Sequence, residues 1–267
     1  MLGADVARAA ALANHDVAVA DRHLLDVTDA AAVARRVDRV RPDAVINCAA
    51  FTNVDGAEHE PEEAMRVNAD GARNVSLAAA RVGAAVVYPS TDYVFDGKKG
   101  SPYVESDEPT PLSSYGVSKL AGEVDTAAVN HKHYVVRSSW LFGTSGKNFV
   151  ETMLGLAERE REVMVVTDQV GCPTYTAHLA EGIVRLLDTN AFGLHHMAAG
   201  GHCSWYDFAV TIFDQASTGT RVLSTTTAEL GRPAPRPEWS VMETQWDDAL
   251  YLPDWQTGLA DYLAERG

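Results

Sequence analysis

The stretch AAVVYPSTDYVFDG, residues 84–97, decides how this chain is read. Its apolar opening, with β-branched Val86 and Val87 at the centre, predicts a buried strand over 84–88. Ser90, Thr91 and Asp92 then fall just past the expected carboxyl end of that strand. Working outward, similar runs recur as VAVA (17–20), AVINC (44–48) and YVVRSS (134–139). Helical patterns lie between them: DAAAVARRVDRV (29–40), PEEAMRVNADGARNVSLAAARV (61–82) and SSYGVSKLAGEVDTAAV (113–129). Thr28 or Asp29 suits the cap of the first of these, and Pro61 suits a first helical turn. Strand and helix in repeated alternation predict an α/β protein with a doubly wound parallel sheet. In that class ligands sit beyond the carboxyl ends of the strands, where Ser90, Thr91 and Asp92 are expected.

After about residue 145 the rhythm loosens. A helix over 147–160, a strand VMVV (163–166), a loop TDQVGCPT (167–174), a helix over 176–188 and a strand GLHHMA (193–198) are expected. Ser204 then caps an aromatic-rich helix, and GRPAPRPEW (231–239) reads as an irregular arm. Two parts follow, 1–145 and 146–267, the second a smaller lobe over the sheet that completes a cleft.

Composition bounds the partners. Net charge is −15, which argues against a nucleic-acid backbone, since phosphate neutralisation needs clustered Lys and Arg. No apolar run approaches the ~20 residues of a membrane span, and no signal peptide is visible. A cytoplasmic protein is expected. Cys48, Cys172 and Cys203 lack CxxC spacing and read as reduced core thiols. The histidines, His195 and His196 among them, point to no metal site.

Chemistry concentrates in SSYGVSKLAGE, where Tyr115 and Lys119 are four apart on one helix face. A phenol titrates near ~10, and a neighbouring ammonium favours its ionised form, making it a proton donor for work near neutrality. The same spacing arises on solvated surface helices, and Ser90–Asp92 alone are also ordinary turn formers. Together the two segments point to one site.

STDYVFDG followed by YGVSKLAGE resembles the extended short-chain dehydrogenase/reductases, specifically the dTDP-4-dehydrorhamnose reductases. RPDAVINCAAFTNVDGAE (41–58), RSSWLFG (137–143), KNFVETM (147–153) and DQVGCPT (168–174) are similar in the same order, so the resemblance covers essentially the whole chain. It implies a Rossmann-like fold, a cofactor domain over 1–145 and a mainly sugar-nucleotide-binding lobe over 146–267. It further implies transfer of hydride from NADPH or NADH to the C4 ketone of a dTDP-linked 6-deoxy sugar, by a monomer or homodimer. Tyr115 would protonate the alkoxide, Lys119 would hold the nicotinamide ribose and tune Tyr115, and Thr91 would bond the carbonyl oxygen. Asp92, Tyr93, Trp140, Asn148 and Arg236 would line the substrate side, with Trp140 a core residue in the plainer reading. Met1, Leu2, Gly3, Asp26, Val27, Ala49, Ala50 and Thr52 would contact the cofactor. Asp21 would bind the ribose hydroxyls of NADH, or Arg22 beside it the 2′-phosphate of NADPH.

The resemblance also bears on the opening MLGADVARAA. Family members begin with a strand and a glycine-rich turn, and Gly3 aligns with the last glycine of that turn, so the first strand is expected to be missing here. A second departure is the arm: RPEWSVM (236–242) carries Trp239 where the family usually has an amide. Sugar-nucleotide dehydratases carry an Asp-Glu pair where this chain has Asp92-Tyr93, and epimerases usually lack the Thr-Asp pair. A non-catalytic regulator of the methionine adenosyltransferase β type is the alternative from another class.

Overall fold

The computed structural model describes residues 1–266. Its first half runs α1 (Leu2–Leu12), α2 (Ala30–Val40), β1 (Ala44–Ile46), α3 (Val54–His59), α4 (Pro61–Met65), a π-helical turn (Arg66–Asp70), α5 (Gly71–Val82), β2 (Ala85–Thr91), α6 (Ser114–Val129) and β3 (His133–Ser138). Caps fall where short polar side chains stand. The Asp29 carboxylate accepts from the Ala32 N–H at 2.9 Å, and the Ser113 hydroxyl accepts from the Gly116 N–H at 3.2 Å.

The second half continues with β4 (Leu141–Phe142), α7 (Phe149–Ala157), β5 (Glu162–Val166), β6 (Val170–Gly171), β7 (Thr174–Tyr175), α8 (Thr176–Leu187), β8 (Gly193–His196), β9 (Cys203–Ser204), α9 (Trp205–Gln215), β10 (Arg221–Thr225), α10 (Thr227–Leu230) and α11 (Trp255–Arg266). Ser204 and Asp207 cap α9 reciprocally.

The main sheet has the order β1-β2-β3-β8, every pair parallel. Alternation along β2 sends Val86 to one face, against Val33 and Val37 of α2 and Val75 and Ala79 of α5. Val87 goes to the other face, against Val6 of α1 and Leu179 and Ile183 of α8, joined there by Tyr134 and Val136 of β3. Helices thus cover both faces, as expected of a doubly wound fold. α8 and β8 come from the second half yet complete this sheet. A separate core gathers Phe142, Met153, Val163, Phe208, Ile212 and Tyr262 from the rest of the second half.

Two expectations are corrected. Residues 17–20 form no strand: Val17 and Val19 are exposed, and β1 stands at the edge of the sheet, so no neighbour supplies the ladder that turns an apolar run into a strand. Ser90 and Thr91 are the last residues of β2 rather than beyond it, because pairing with β3 continues through Thr91↔Ser138; Asp92 alone lies past the end.

Gly122 fixes the approach of α6 to the sheet. A Cβ there would stand 2.1 Å from the Asn68 carbonyl and 2.3 Å from the Tyr88 hydroxyl. We expect Gly122→Ala to destabilise the protein by ~1–3 kcal/mol through overpacking, read as a lower urea midpoint with an unchanged slope. An unchanged midpoint would show that the helix shifts freely.

Candidate active site

Pro89 sits in β2 without breaking the ladder, for a positional reason. The Val87 carbonyl points toward β1 and accepts from the Asn47 N–H at 2.9 Å; Pro89, two residues on, points the same way after β1 has ended. Its missing N–H therefore leaves no strand unpaired, and its carbonyl takes the Lys119 ammonium at 2.7 Å. Burial brings the pKa of Lys119 down to about 7, opposed chiefly by the charge of Glu123.

One turn back on α6, Tyr115 is half-buried and packs edge-on against Tyr93, ring centroids 5.7 Å apart. Its hydroxyl is within hydrogen-bonding reach of Thr91. Burial raises the phenol well above its ordinary range, Thr91 draws it down, and Asp92 and Tyr93 add to the rise. Thr91, Asp92 and Tyr93 thus act on the Tyr115 phenol, while the Lys119 ammonium one turn on is bonded to the Pro89 carbonyl.

Asp92 is almost fully buried and its carboxylate is fully engaged. It accepts from the Thr91 hydroxyl at 3.2 Å and the Ser240 hydroxyl at 2.5 Å. Burial pushes its pKa up to about 6 against those donors. It thus ties Thr91 to the C-terminal arm rather than presenting a free carboxylate to a ligand. Asn148 is likewise engaged: it caps α7 through the Glu151 N–H at 3.0 Å and donates to the Gly143 carbonyl at 2.8 Å. Trp140 holds a left-handed backbone, φ 50°, uncommon for a bulky residue, and stacks on Trp205 at 3.5 Å between ring centroids. Arg236 pairs with Asp55 at 3.0 Å and reaches the Tyr93 hydroxyl, whose pKa burial raises to about 12. Burial opposes ionisation of Asp55, yet the Ala234 N–H, Arg236 and Arg232 hold its carboxyl below the usual range.

The expected cofactor residues divide. The start of α1 lies at the carboxyl end of β1: a Cβ on Gly3 would stand 3.3 Å from Cys48 Cβ, and one on Gly143 would stand 3.1 Å from Met1 Cγ. Leu2 is buried beneath the same turn, and Ala49, Ala50 and Thr52 follow β1 with partly or fully exposed surface. Asp21 and Asp26 are exposed and close local turns, Asp21 onto His23 and Leu24, Asp26 onto Thr28; Val27 packs against Gly71.

Buried polar side-chain atoms lacking a partner among the described residues are Asn47 Nδ2, Ser138 Oγ and Trp239 Nε1. Two follow or end strands of the main sheet and the third is in the arm, where a ligand would satisfy them. With small Gly3, Ala49 and Ala50, a helix N-terminus and Lys119 at the same edge, these residues fit a nicotinamide dinucleotide. A cleft of about 480 Å³, lined by Val170, His202, Ser204, Tyr206 and Trp239, adjoins the arm.

The full chain, residues 1–267, matches the model of the RmlD substrate binding domain family. The chain belongs to this family. It is 40% identical over 267 residues to the spore coat polysaccharide biosynthesis protein SpsK of Bacillus subtilis, covering 99% of this chain and 94% of the relative. It is 39% identical over 254 residues to the dTDP-4-dehydrorhamnose reductase of Escherichia coli, covering 90% and 85%. Among solved structures, the dTDP-4-dehydrorhamnose reductase of Bacillus anthracis in complex with NADP superposes with a TM-score of 0.96 at 40% identity, covering 99% of this chain and 95% of that one.

Sequence reasoning missed Ser240, Asp55 and Trp205. Asp55 and Ser240 stand inside segments quoted for the family resemblance and Trp205 opens the aromatic-rich helix, but their partners Arg236, Asp92 and Trp140 are far away in sequence, and no spacing links them.

Proposed function

We propose that this family member reduces the 4-keto group of a dTDP-linked 4-dehydro-6-deoxy sugar, dTDP-4-dehydrorhamnose to dTDP-rhamnose, with NADPH or NADH. The observation that carries the reading is the meeting of Tyr115 and Thr91 at the carboxyl end of β2, one helical turn from Lys119. Residues 1–145 hold the cofactor, with Met1, Leu2, Gly3, Asp21, Asp26, Val27, Ala49, Ala50 and Thr52 along it. Residues 146–267 mainly hold the sugar nucleotide. The bound nicotinamide supplies the hydride.

The chain's own groups do the rest. A phenol held well above its ordinary range keeps its proton at neutral pH, so Tyr115 arrives as the acid. Thr91, whose hydroxyl donates to Asp92 in the structure, turns that single proton to the carbonyl oxygen as charge develops there. Lys119 holds the ribose hydroxyls. Tyr93, Trp140 and Arg236 face the sugar nucleotide, the guanidinium suiting a diphosphate. Asp92 and Asn148 shape that side by fixing Thr91 and the start of α7. No helix among the described residues is long and apolar enough to cross a membrane. We place the enzyme in the cytoplasm as a monomer or homodimer.

The test is turnover: loss of reduced-nicotinamide absorbance on adding the dTDP-4-keto sugar, with each cofactor in turn. Absence of ketone-dependent oxidation with both would overturn the reading. Thr91→Val should lower kcat on the order of 10–10³-fold with cofactor affinity kept. Wild-type kcat in that variant would remove Thr91 from the mechanism.

A further inference from the structure

Tyr88 was expected only as the apolar end of a strand, yet the structure uses every part of it. It is 1% exposed and projects from β2 toward α6. Its hydroxyl donates to the Asn68 carbonyl at 2.9 Å, with the Lys119 carbonyl at 3.4 Å. Asn68 belongs to the π-helical turn, whose wider winding displaces carbonyls from the α ladder and leaves them open to a side-chain donor. Asn68 is itself tied down, its amide bonded to the Ser118 hydroxyl and to both backbone groups of Phe51. Gly122 supplies the space for this clamp. The ring so fixed lies under the Lys119 ammonium, Nζ 3.9 Å from its centroid.

An ammonium carries three donors, and among the described residues only the Pro89 carbonyl takes one from Lys119. The charged and titratable groups around it are few. Glu123, on its own helix, is committed to Arg137 and Ser90. Cys48, after β1, has its thiol pushed up to about 11 by burial and stays neutral. Tyr115, on α6, and Tyr88, on β2, are both raised by burial and stay neutral. Among the described residues no carboxylate therefore forms an ion pair with the buried cation, and an aromatic face is what meets it.

We propose that Tyr88 is a positioning residue for the reaction, its ring face holding the buried Lys119 ammonium in its charged form and in place. The role in turnover rests on the reductase reading above; the contact between Tyr88 and Lys119 does not. A cation over an aromatic face is favoured over the neutral amine, so removing the ring makes Lys119 lose its proton at lower pH. Because the ammonium form of Lys119 is lost as pH rises, kcat/KM should fall on the alkaline side of its titration, and the fall should begin earlier without the ring.

The experiment titrates Lys119 directly by NMR in protein labelled at its lysine ammonium groups. The chain has five lysines, and Lys119→Met assigns the signal. Tyr88→Phe keeps the ring and should leave the midpoint within a few tenths of a pH unit. Tyr88→Leu should lower it by roughly 0.5–1.5 pH units, with the alkaline limb of kcat/KM moving equally. An unmoved midpoint in Tyr88→Leu, or an equal shift in both variants, would overturn the proposal. If Tyr88→Leu does not fold, fluorinated phenylalanines placed at position 88 keep the packing while weakening the ring face. The midpoint should then fall with each added fluorine, and a flat series would overturn the proposal. If the wild-type protein shows no ketone reduction, the reductase reading fails while the titration still decides the role of Tyr88.

Discussion

Tyr115→Phe is expected to lower kcat by ~10²–10⁴-fold while the dissociation constant of the reduced cofactor changes little. The substitution removes one oxygen and keeps the ring that packs edge-on against Tyr93, so the site's shape survives. The lost oxygen is the one that meets Thr91. With burial holding the phenol protonated across the neutral range, no neighbour is ready to replace it: Asp92 is spent on Thr91 and Ser240, and Lys119 is turned to Pro89. Steady-state kinetics with cofactor titration monitored by fluorescence would check both parts. Wild-type kcat in the variant would exclude Tyr115 as the acid, and a large loss of cofactor affinity would make its role structural.

The second large effect is expected beneath the site. Arg137 of β3 and Glu123 of α6 are 3% and 7% exposed and share two hydrogen bonds, at 2.9 Å and 2.7 Å. Glu123 also accepts from Ser90, the residue before Thr91, so the pair joins α6 to both central strands at the level of the site. Arg137 packs on the Phe95 ring and meets His196, whose Nδ1 faces the carbonyls of Tyr103 and Glu243. Arg137→Met leaves Glu123 buried without its cation, a change that typically costs ~3–5 kcal/mol. In a protein of this size that is a fall in melting temperature of roughly 10 °C. Arg137→Met combined with Glu123→Leu should recover most of the loss, because replacing both members of a buried pair by apolar groups is often neutral. A single variant that melts with the wild type would show that the pair contributes nothing net.

How much of this was legible in the sequence depends on the range of the interaction. The strand at Ala85–Thr91 and the helix at Ser114–Val129 were readable because apolar periodicity and the Ser113 cap are local. The segment 17–20 was misread because a strand needs a neighbour, which no local pattern specifies. The same holds within the site. Thr91, Tyr115 and Lys119 could be read as neighbours because two short motifs carry them. The occupation of Asp92 was hidden because its partner Ser240 is distant in sequence, and that of Asn148 because capping and ligand binding ask for the same amide. The turning of Lys119 toward Pro89 and Tyr88 depends on where β1 ends, which only the assembled sheet defines.

The central claim is that Thr91, Tyr115 and Lys119 serve the reduction of a ketone at C4 of a nucleotide-linked sugar. Its most direct test uses reduced nicotinamide deuterated at the transferable position, a dTDP-4-keto-6-deoxy sugar, and NMR of the isolated product. The expected product is a 4-hydroxy sugar with deuterium on C4, formed in step with cofactor oxidation and more slowly by Tyr115→Phe. Deuterium on another carbon, unlabelled product, or no ketone-dependent oxidation would contradict it.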